Sequence, residues 1–294
     1  MNLNLTEEQV AIADIARKFS ESALAPVAAR LDLGDNKEAN RLIFLENLHG
    51  LATLGFMGMN VKAEYGGSEI GTVGFSLAIT EIARACASTA VTMSVTNMVS
   101  EVIQAVASEE QKQAYLPKLC SGEYPAGGFC LSEMGAGSDP AGMQTQAIKD
   151  GDDWILNGTK MWISSAEYAG IFVVWAVTHP NAAKGRGISC FLVEADTPGI
   201  SIGKSEDKMG QQASSTNQVI FENCRIPRSA LMGELNDGFR IAVGELAGGR
   251  IGVGSLALGI GLAAMDYARQ YTTERQQFGA TIASMQGPQW MMAD

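Results

Sequence analysis

Apolar and polar positions in the first third of the chain follow a helical period. Ile12, Ile15, Ala16 and Phe19 recur at i, i+3, i+4 and i+7, and Thr6 with Gln9 three residues on has the form of a reciprocal N-terminal cap. Pro26 stands where that first helix ends or bends, and Gly34, Gly55 and Gly66-Gly67 punctuate the later helical segments. The alanine-rich run Gly74 to Val99 predicts one long core helix, and Ser108 is placed to cap another over Glu109 to Leu116. After about Tyr124 the period shortens. Thr145 to Lys149, Trp154 to Asn157, Ile171 to Thr178, Ile188 to Glu194 and Val219 to Glu222 are β-branched and aromatic, with turn residues such as Asp150-Gly151, Asn157-Gly158 and Pro198-Gly199 between them. These predict a compact β-barrel or sandwich without crossover helices. From Leu235 the helical period returns, with Gly244, Gly248 and Gly252 putting small residues on one face, and Gln286 to Ala293 reads as helix interior, so the last element is expected to be cut short. The expected fold is α+β and multidomain: an all-α domain over 1–122, a β-barrel domain over 123–234, and the start of a C-terminal helical-bundle domain over 235–294.

Composition narrows the chemistry. The 294 residues carry 21 Lys and Arg against 32 Asp and Glu, a net charge of -11, which repels phosphate backbones and argues against nucleic acid as a partner. The five cysteines, Cys86, Cys120, Cys130, Cys190 and Cys224, are odd in number and widely spaced, the pattern of reduced, buried thiols in a cytoplasmic protein. The start MNLNLTEEQV has neither a basic nor an apolar leader region. The uncharged run 251–265 falls short of the ~20 residues that span a bilayer, so a buried helix and no membrane span are expected.

Two histidines, His49 and His179, and no G-x-S-x-G elbow leave little for a Ser-His-acid hydrolase, and metal-ligand spacings are absent. Gly252-x-Gly254-x-x-Ala257 matches a loose dinucleotide template but lies inside a helical run, so close helix packing is the better reading. That leaves Phe129 to Gly142, "FCLSEMGAGSDPAG". Its glycines can present backbone N-H groups to an oxygen-rich ligand, with Ser132 and Ser138 as further donors. An ordinary turn initiated by Asp139-Pro140 explains the same spacing equally well.

Read with "WILNGTKMWISSA" and "GRIGVGSLALGIGLAAMDYARQYTTERQQFG", that stretch closely resembles the acyl-CoA dehydrogenase family in residue type, order and spacing. "LTEEQVAIADIARKF", "AEYGG", "GISCFLVEADTPGI" and "GELNDGFRIAVGELAGGR" extend the resemblance over essentially the whole chain. The resemblance implies FAD as cofactor, removal of an α proton and a β hydride from a saturated acyl-CoA thioester, a homo-oligomer (dimer or tetramer), and an electron-transferring flavoprotein as acceptor. It implies that Phe129, Leu131, Ser132, Gly137 and Ser138 hold the flavin and its pyrophosphate, and that Ser138 also touches CoA. Trp162 and Ile163 would lie against the ring, Ser164 near its reactive nitrogen, and Arg250 beside the substrate. Independently of the resemblance, Arg250 sits in an apolar Gly-rich run where an unpaired guanidinium is costly, so a partner for its charge is expected. Arg275, Gln277, Phe278 and Gln286 match residues that reach the FAD of a neighbouring subunit.

The departures concern the general base. Most members carry that Glu near the C-terminus, so it is expected beyond Asp294; a minority carry it just before the helix arginine, and here that position is Gly249. Glu245 lies about one turn, or roughly 6 Å, away and points at another part of the cleft. Met134 stands where a proline is common. "LAGGR" resembles short- and branched-chain members. Alongside the dehydrogenase stand two alternatives: an acyl-CoA oxidase or related flavin monooxygenase on the same fold, and a non-catalytic flavin- or CoA-binding chain.

Overall fold

The computed structural model describes residues 4–33 and 36–293; Gly34 and Asp294 lie outside them. Helix α1 (Glu7–Phe19) begins at the predicted cap: the Thr6 hydroxyl accepts from the Gln9 amide at 3.2 Å, and the Gln9 side chain accepts from the Thr6 amide at 3.0 Å. The helical path does not end at Pro26. A π-helical turn over Ser20–Leu24 leads into α2 (Ala25–Leu33), whose first turn absorbs the missing proline N-H. Then come α3 (Lys37–Thr53), α4 (Gly71–Ala85), α5 (Ala87–Val106) and α6 (Glu109–Ser121), the last with its own capping box at Ser108.

The single helix expected over Gly74 to Val99 is two. Cys86 adopts an extended conformation (φ -148, ψ 100) between α4 and α5, and the break lets α5 pack against both α4 and the first strand. A run of alanines favours helix on either side of such a residue equally, so periodicity passes over it.

The middle of the chain supplies β1 (Ala126–Cys130), β2 (Gln146–Asp150), β3 (Asp153–Ser164), β4 (Ala169–Val177), β5 (Ile188–Glu194), β6 (Ile200–Ile202), β7 (Thr216–Ile226) and β8 (Leu231–Met232). They form one eight-stranded sheet in the order β6-β7-β3-β2-β4-β5-β8, with β1 added in parallel to β4. Strand β4 is apolar on both faces for a reason. Phe172, Val174 and Ala176 pack among strand residues such as Phe191 and Phe221, while Ile171, Val173 and Trp175 pack with Val99, Ile103 and Leu116 of the helices. The sheet thereby seals the helical layer. The Trp175 indole N-H donates to the Gly238 carbonyl at 2.8 Å, tying the sheet to the next helix.

That helix, α7 (Gly238–Glu274), runs for 37 residues and packs on α4 and α5. Small residues make the contact: a Cβ placed on Gly259 would stand 2.3 Å from the Thr80 carbonyl oxygen, and the Ser76 and Ser255 hydroxyls lie 2.7 Å apart. The close-packing reading of the glycine run holds for Gly252 and Gly259, whereas Gly254 and Gly261 face open space. The expectation of a buried helix over 251–265 is not met. Gly252, Ser255, Leu256 and Gly259 are buried, but Val253, Leu258, Ile260 and Met265 are exposed, because α4 and α5 cover one stripe of α7 and no other described element covers the opposite one. By length and composition α7 is also apolar enough to cross a membrane, which the fifteen-residue run alone did not suggest. A short hairpin, β9 (Gln276–Gln277) and β10 (Ala280–Thr281), leads to α8 (Gln286–Ala293).

Candidate active site

The segment after β1 is a preformed loop. Glu133 and Ala136 exchange backbone hydrogen bonds at 3.2 and 3.1 Å, closing a tight turn that leaves Met134 exposed at its tip. A Cβ on Gly135 or Gly137 would meet nothing within 4 Å, so both glycines border open space. The hydroxyls of Ser132 and Ser138 have no hydrogen-bond partner among the described residues. The Leu131 side chain is buried in the core, so it faces any ligand through its main chain only, and Phe129 packs half-buried on Trp175 with ring centroids 4.4 Å apart.

A buried ion pair holds this loop. Lys160 on β3 is fully buried, and its ammonium donates to Glu133 at 2.8 Å and to the Leu131 carbonyl at 3.2 Å. The same carboxylate accepts from the Gln144 and Thr145 amides at 2.6 and 3.0 Å. Burial pushes the Glu133 carboxyl up, but the Lys160 ammonium and the amide donors outweigh it and hold it below the usual carboxylate range. Burial draws Lys160 below the usual lysine range, opposed by Glu133. Three donors on one carboxylate leave the ionised pair as the resting state. Sequence reasoning missed Lys160 because the pair spans 27 residues and no periodicity marks it.

Beside the loop, β3 bulges. Its pairing with β7 shifts register between Lys160 and Ile163, the Met161 amide donates instead to the Ser132 carbonyl at 2.9 Å, and Trp162 sits at φ +62 and is 57% exposed. A strained, solvent-facing tryptophan on a strand is costly unless something covers it. Ile163 points back into the sheet core. Ser164 opens into a cavity of about 330 Å³ shared with Val91, Lys208, Gln211, Ser214 and Thr216. The Lys208–Thr216 segment was not anticipated; its Gly and Ser content is the signal that could have drawn attention to it. A second cavity of about 410 Å³ lies beyond the Lys184–Asp139 ion pair, lined by Gln144, Gln146 and His179.

On the helical side, position 249 offers no base. A Cβ on Gly249 would stand 2.6 Å from the Met98 sulfur, so any side chain there would have to displace the flexible Met98 side chain. Arg250 is exposed and has no ion-pair partner among the described residues, contrary to the expectation that its charge would be matched. Glu245 is half-buried one turn earlier, raised above the usual carboxylate range by burial and by Glu101 of α5. Arg275, Gln277, Phe278 and Gln286 are not brought to the loop: they lie exposed around the hairpin and the start of α8, with Phe278 98% exposed.

Three family models match consecutively: the N-terminal domain of acyl-CoA dehydrogenases over residues 6–123, the middle domain over 128–224, and the C-terminal domain over 236–294. The chain belongs to the acyl-CoA dehydrogenase family. It is 41% identical to the acryloyl-CoA reductase (NADH) of Anaerotignum propionicum, covering 100% of this chain and 73% of that one, and 42% identical to the mitochondrial short-chain specific acyl-CoA dehydrogenase of Homo sapiens, covering 100% and 69%. Among solved structures, a glutaryl-CoA dehydrogenase of Mycobacterium smegmatis in complex with FADH2 superposes with a TM-score of 0.88 at 32% identity, covering 98% of this chain and 71% of that one. The chain thus spans about seven tenths of the length of these relatives. Its helical, β and helical parts are the three matched acyl-CoA dehydrogenase domains in order.

The residues of this acyl-CoA dehydrogenase chain fit a flavin by their own chemistry. The loop and the adjoining bulge offer hydroxyls at Ser132 and Ser138 without a partner among the described residues, glycines facing open space and an exposed tryptophan.

Proposed function

We propose that this chain forms the FAD- and acyl-CoA-binding part of an enzyme that introduces an α,β double bond into a short- or branched-chain acyl-CoA. The observation that carries the reading is Trp162: exposed and at positive φ on a bulge of β3, where the neighbouring Met161 amide bonds the Ser132 carbonyl of a loop held by a buried charge pair. When bound, the flavin accepts the hydride. Ser132 and Ser138 would hold polar edges of the cofactor, Trp162 would cover one ring face and exclude water, and Ser164 would donate to the ring from its cavity. Backbone contacts at Phe129, Leu131, Gly137 and Ile163 would fix the register. Arg250 would meet the thioester carrier, with Ser138. The exposed hairpin residues Arg275, Phe278 and Gln286 would complete the site of another subunit in a dimer or tetramer, and the uncovered apolar stripe of α7 supports assembly. An electron-transferring flavoprotein would take the electrons. Five free, buried cysteines support a reducing, cytoplasmic setting.

The test is the visible spectrum of the purified flavin-loaded protein under anaerobic conditions, before and after butyryl-CoA and a branched homologue are added. Bleaching of the oxidised-flavin bands is the expected result. Bound flavin that stays oxidised with every short acyl-CoA would overturn the reading, and rapid oxygen consumption with substrate would favour the oxidase.

A further inference from the structure

Helix α5 presents a stripe of partly open positions, Val91, Val95, Met98 and Glu101, at spacings that keep them on one face. Val91 shares the cavity of Ser164. Further along, Ser94, Met98 and Glu101 line a separate cavity of about 60 Å³ with Asn60 of the preceding loop and Gly248 and Gly249 of α7. Along the helix axis the second cavity lies roughly 5 Å (Ser94) to roughly 15 Å (Glu101) from Val91, within reach of a short acyl chain at its near end.

This cavity holds polar groups with unmet hydrogen bonds. Ser94 is only 5% exposed and its hydroxyl has no partner among the described residues, although other buried helical serines bond the carbonyl four residues back: Ser100 to Thr96 at 3.0 Å and Ser255 to Ile251 at 2.8 Å. Asn60 donates its amide to one oxygen of Glu101 at 2.6 Å, which leaves the buried Asn60 Oδ1 unpartnered. The other Glu101 oxygen lies 3.5 Å from where a Cβ on Gly248 would stand, and it receives no donor from the described residues. Asn60, Ser94 and Glu101 line the cavity together, and no lysine or arginine lines it with them. Phe75, Met98 and Ile251 add apolar wall, and Thr72 adds a further hydroxyl.

We propose that this cavity receives a hydrogen-bond-donating substituent, a hydroxyl or an ammonium, on a short acyl group, with Glu101 and Asn60 as acceptors and Ser94 as the third contact. The inference rests on the acyl-thioester reading above and specifies its substrate class. Space for about two water-sized groups suits a hydroxymethyl or aminomethyl end and excludes a long chain. Burying an unpaired acceptor is unfavourable, so an unsubstituted chain leaves the site unsatisfied and is discriminated against.

The full flavin-loaded protein is assayed with butyryl-CoA, 4-hydroxybutyryl-CoA and 3-aminopropionyl-CoA, by kcat/KM and in parallel by calorimetric binding, in the parent, Glu101→Gln and Ser94→Ala. The expected result is a preference of about tenfold or more for one donor-bearing thioester over butyryl-CoA, reduced about tenfold by Glu101→Gln and less by Ser94→Ala. A preference for the aminopropionyl arm identifies an ammonium, and one for the hydroxybutyryl arm a hydroxyl. Equal handling of all three thioesters by the parent overturns the proposal. So does a Glu101→Gln variant that weakens all three alike, since Glu101 would then serve the carrier or the proton transfer. If no thioester bleaches the flavin, the proposed function fails by itself, and the calorimetric preference still decides this one.

Discussion

Glu133, in the loop after β1, and Glu101, on α5, are two largely buried glutamates whose surroundings drive them in opposite directions. Glu133 has an ammonium and two amides, and lies below the usual carboxylate range; Glu101 has one amide from Asn60, and burial raises it. A carboxylate whose acceptor capacity is filled by the chain is part of the scaffold. One left half-filled beside an unpartnered serine and an orphaned amide oxygen is where the chain has kept room for something else.

Removing the cation from the filled site should give the largest effect. Lys160→Met leaves the Glu133 carboxylate buried without its counter-ion, and is expected to cost about 3–5 kcal/mol in urea unfolding, with loss of bound flavin as the 129–138 loop loosens. A cost below about 1 kcal/mol would erase the distinction between the two glutamates. Adding Glu133→Gln should restore part of the loss, because the uncompensated charge goes with it.

The open side is confined by the close seat of α7. Gly259→Val would drive a side chain against the Thr80 carbonyl, and a loss of about 1–3 kcal/mol or more is expected, read as a lower Tm. The same change at Gly261, whose surroundings are empty, should shift Tm far less; equal effects would mean that helix propensity, not packing, sets the response.

The smallest effect is in pH dependence. A native Glu133 pKa below the unfolded value means that its stabilisation is present above the unfolded pKa and lost as pH falls through that value toward the native one. Glu101, raised by burial, works the other way: the native state binds the proton more tightly, so stability falls as pH rises from the unfolded pKa through the native one. Glu101→Gln should therefore flatten the stability-pH curve above the usual carboxylate range, while Glu133→Gln removes the loss below it. Thermal unfolding from acid to neutral pH checks both. Opposite signs are expected; matching slopes would refute the assignment.

Features joined by a few residues of sequence were legible. The caps at Thr6 and Ser108, the turns at Gly151 and Gly199, and the change from helical to strand period near Tyr124 all arise from chemistry within about four positions. The loop at Phe129 to Ser138 stood out as a ligand loop only through its resemblance, since its spacing suits a plain turn. Lys160 and Glu101 passed unnoticed for one reason: each takes its meaning from a group far off in the chain, Glu133 and Asn60 respectively.

Sequence alone thus determined the order of helical, β and helical parts, the helix starts and the sheet's apolar strands, because these rest on local conformational preference and on side-chain period; the family came from the resemblance of whole motifs, not from period. Tertiary structure decided the rest. Whether Trp162 is core or exposed depends on the bulge in the β3–β7 pairing between Lys160 and Ile163, and whether Gly249 leaves room for a side chain depends on Met98 across the helix pair. Burial is a property of what two distant segments leave between them, and it is burial that turns an ordinary glutamate into a clamp in one place and an open acceptor in another.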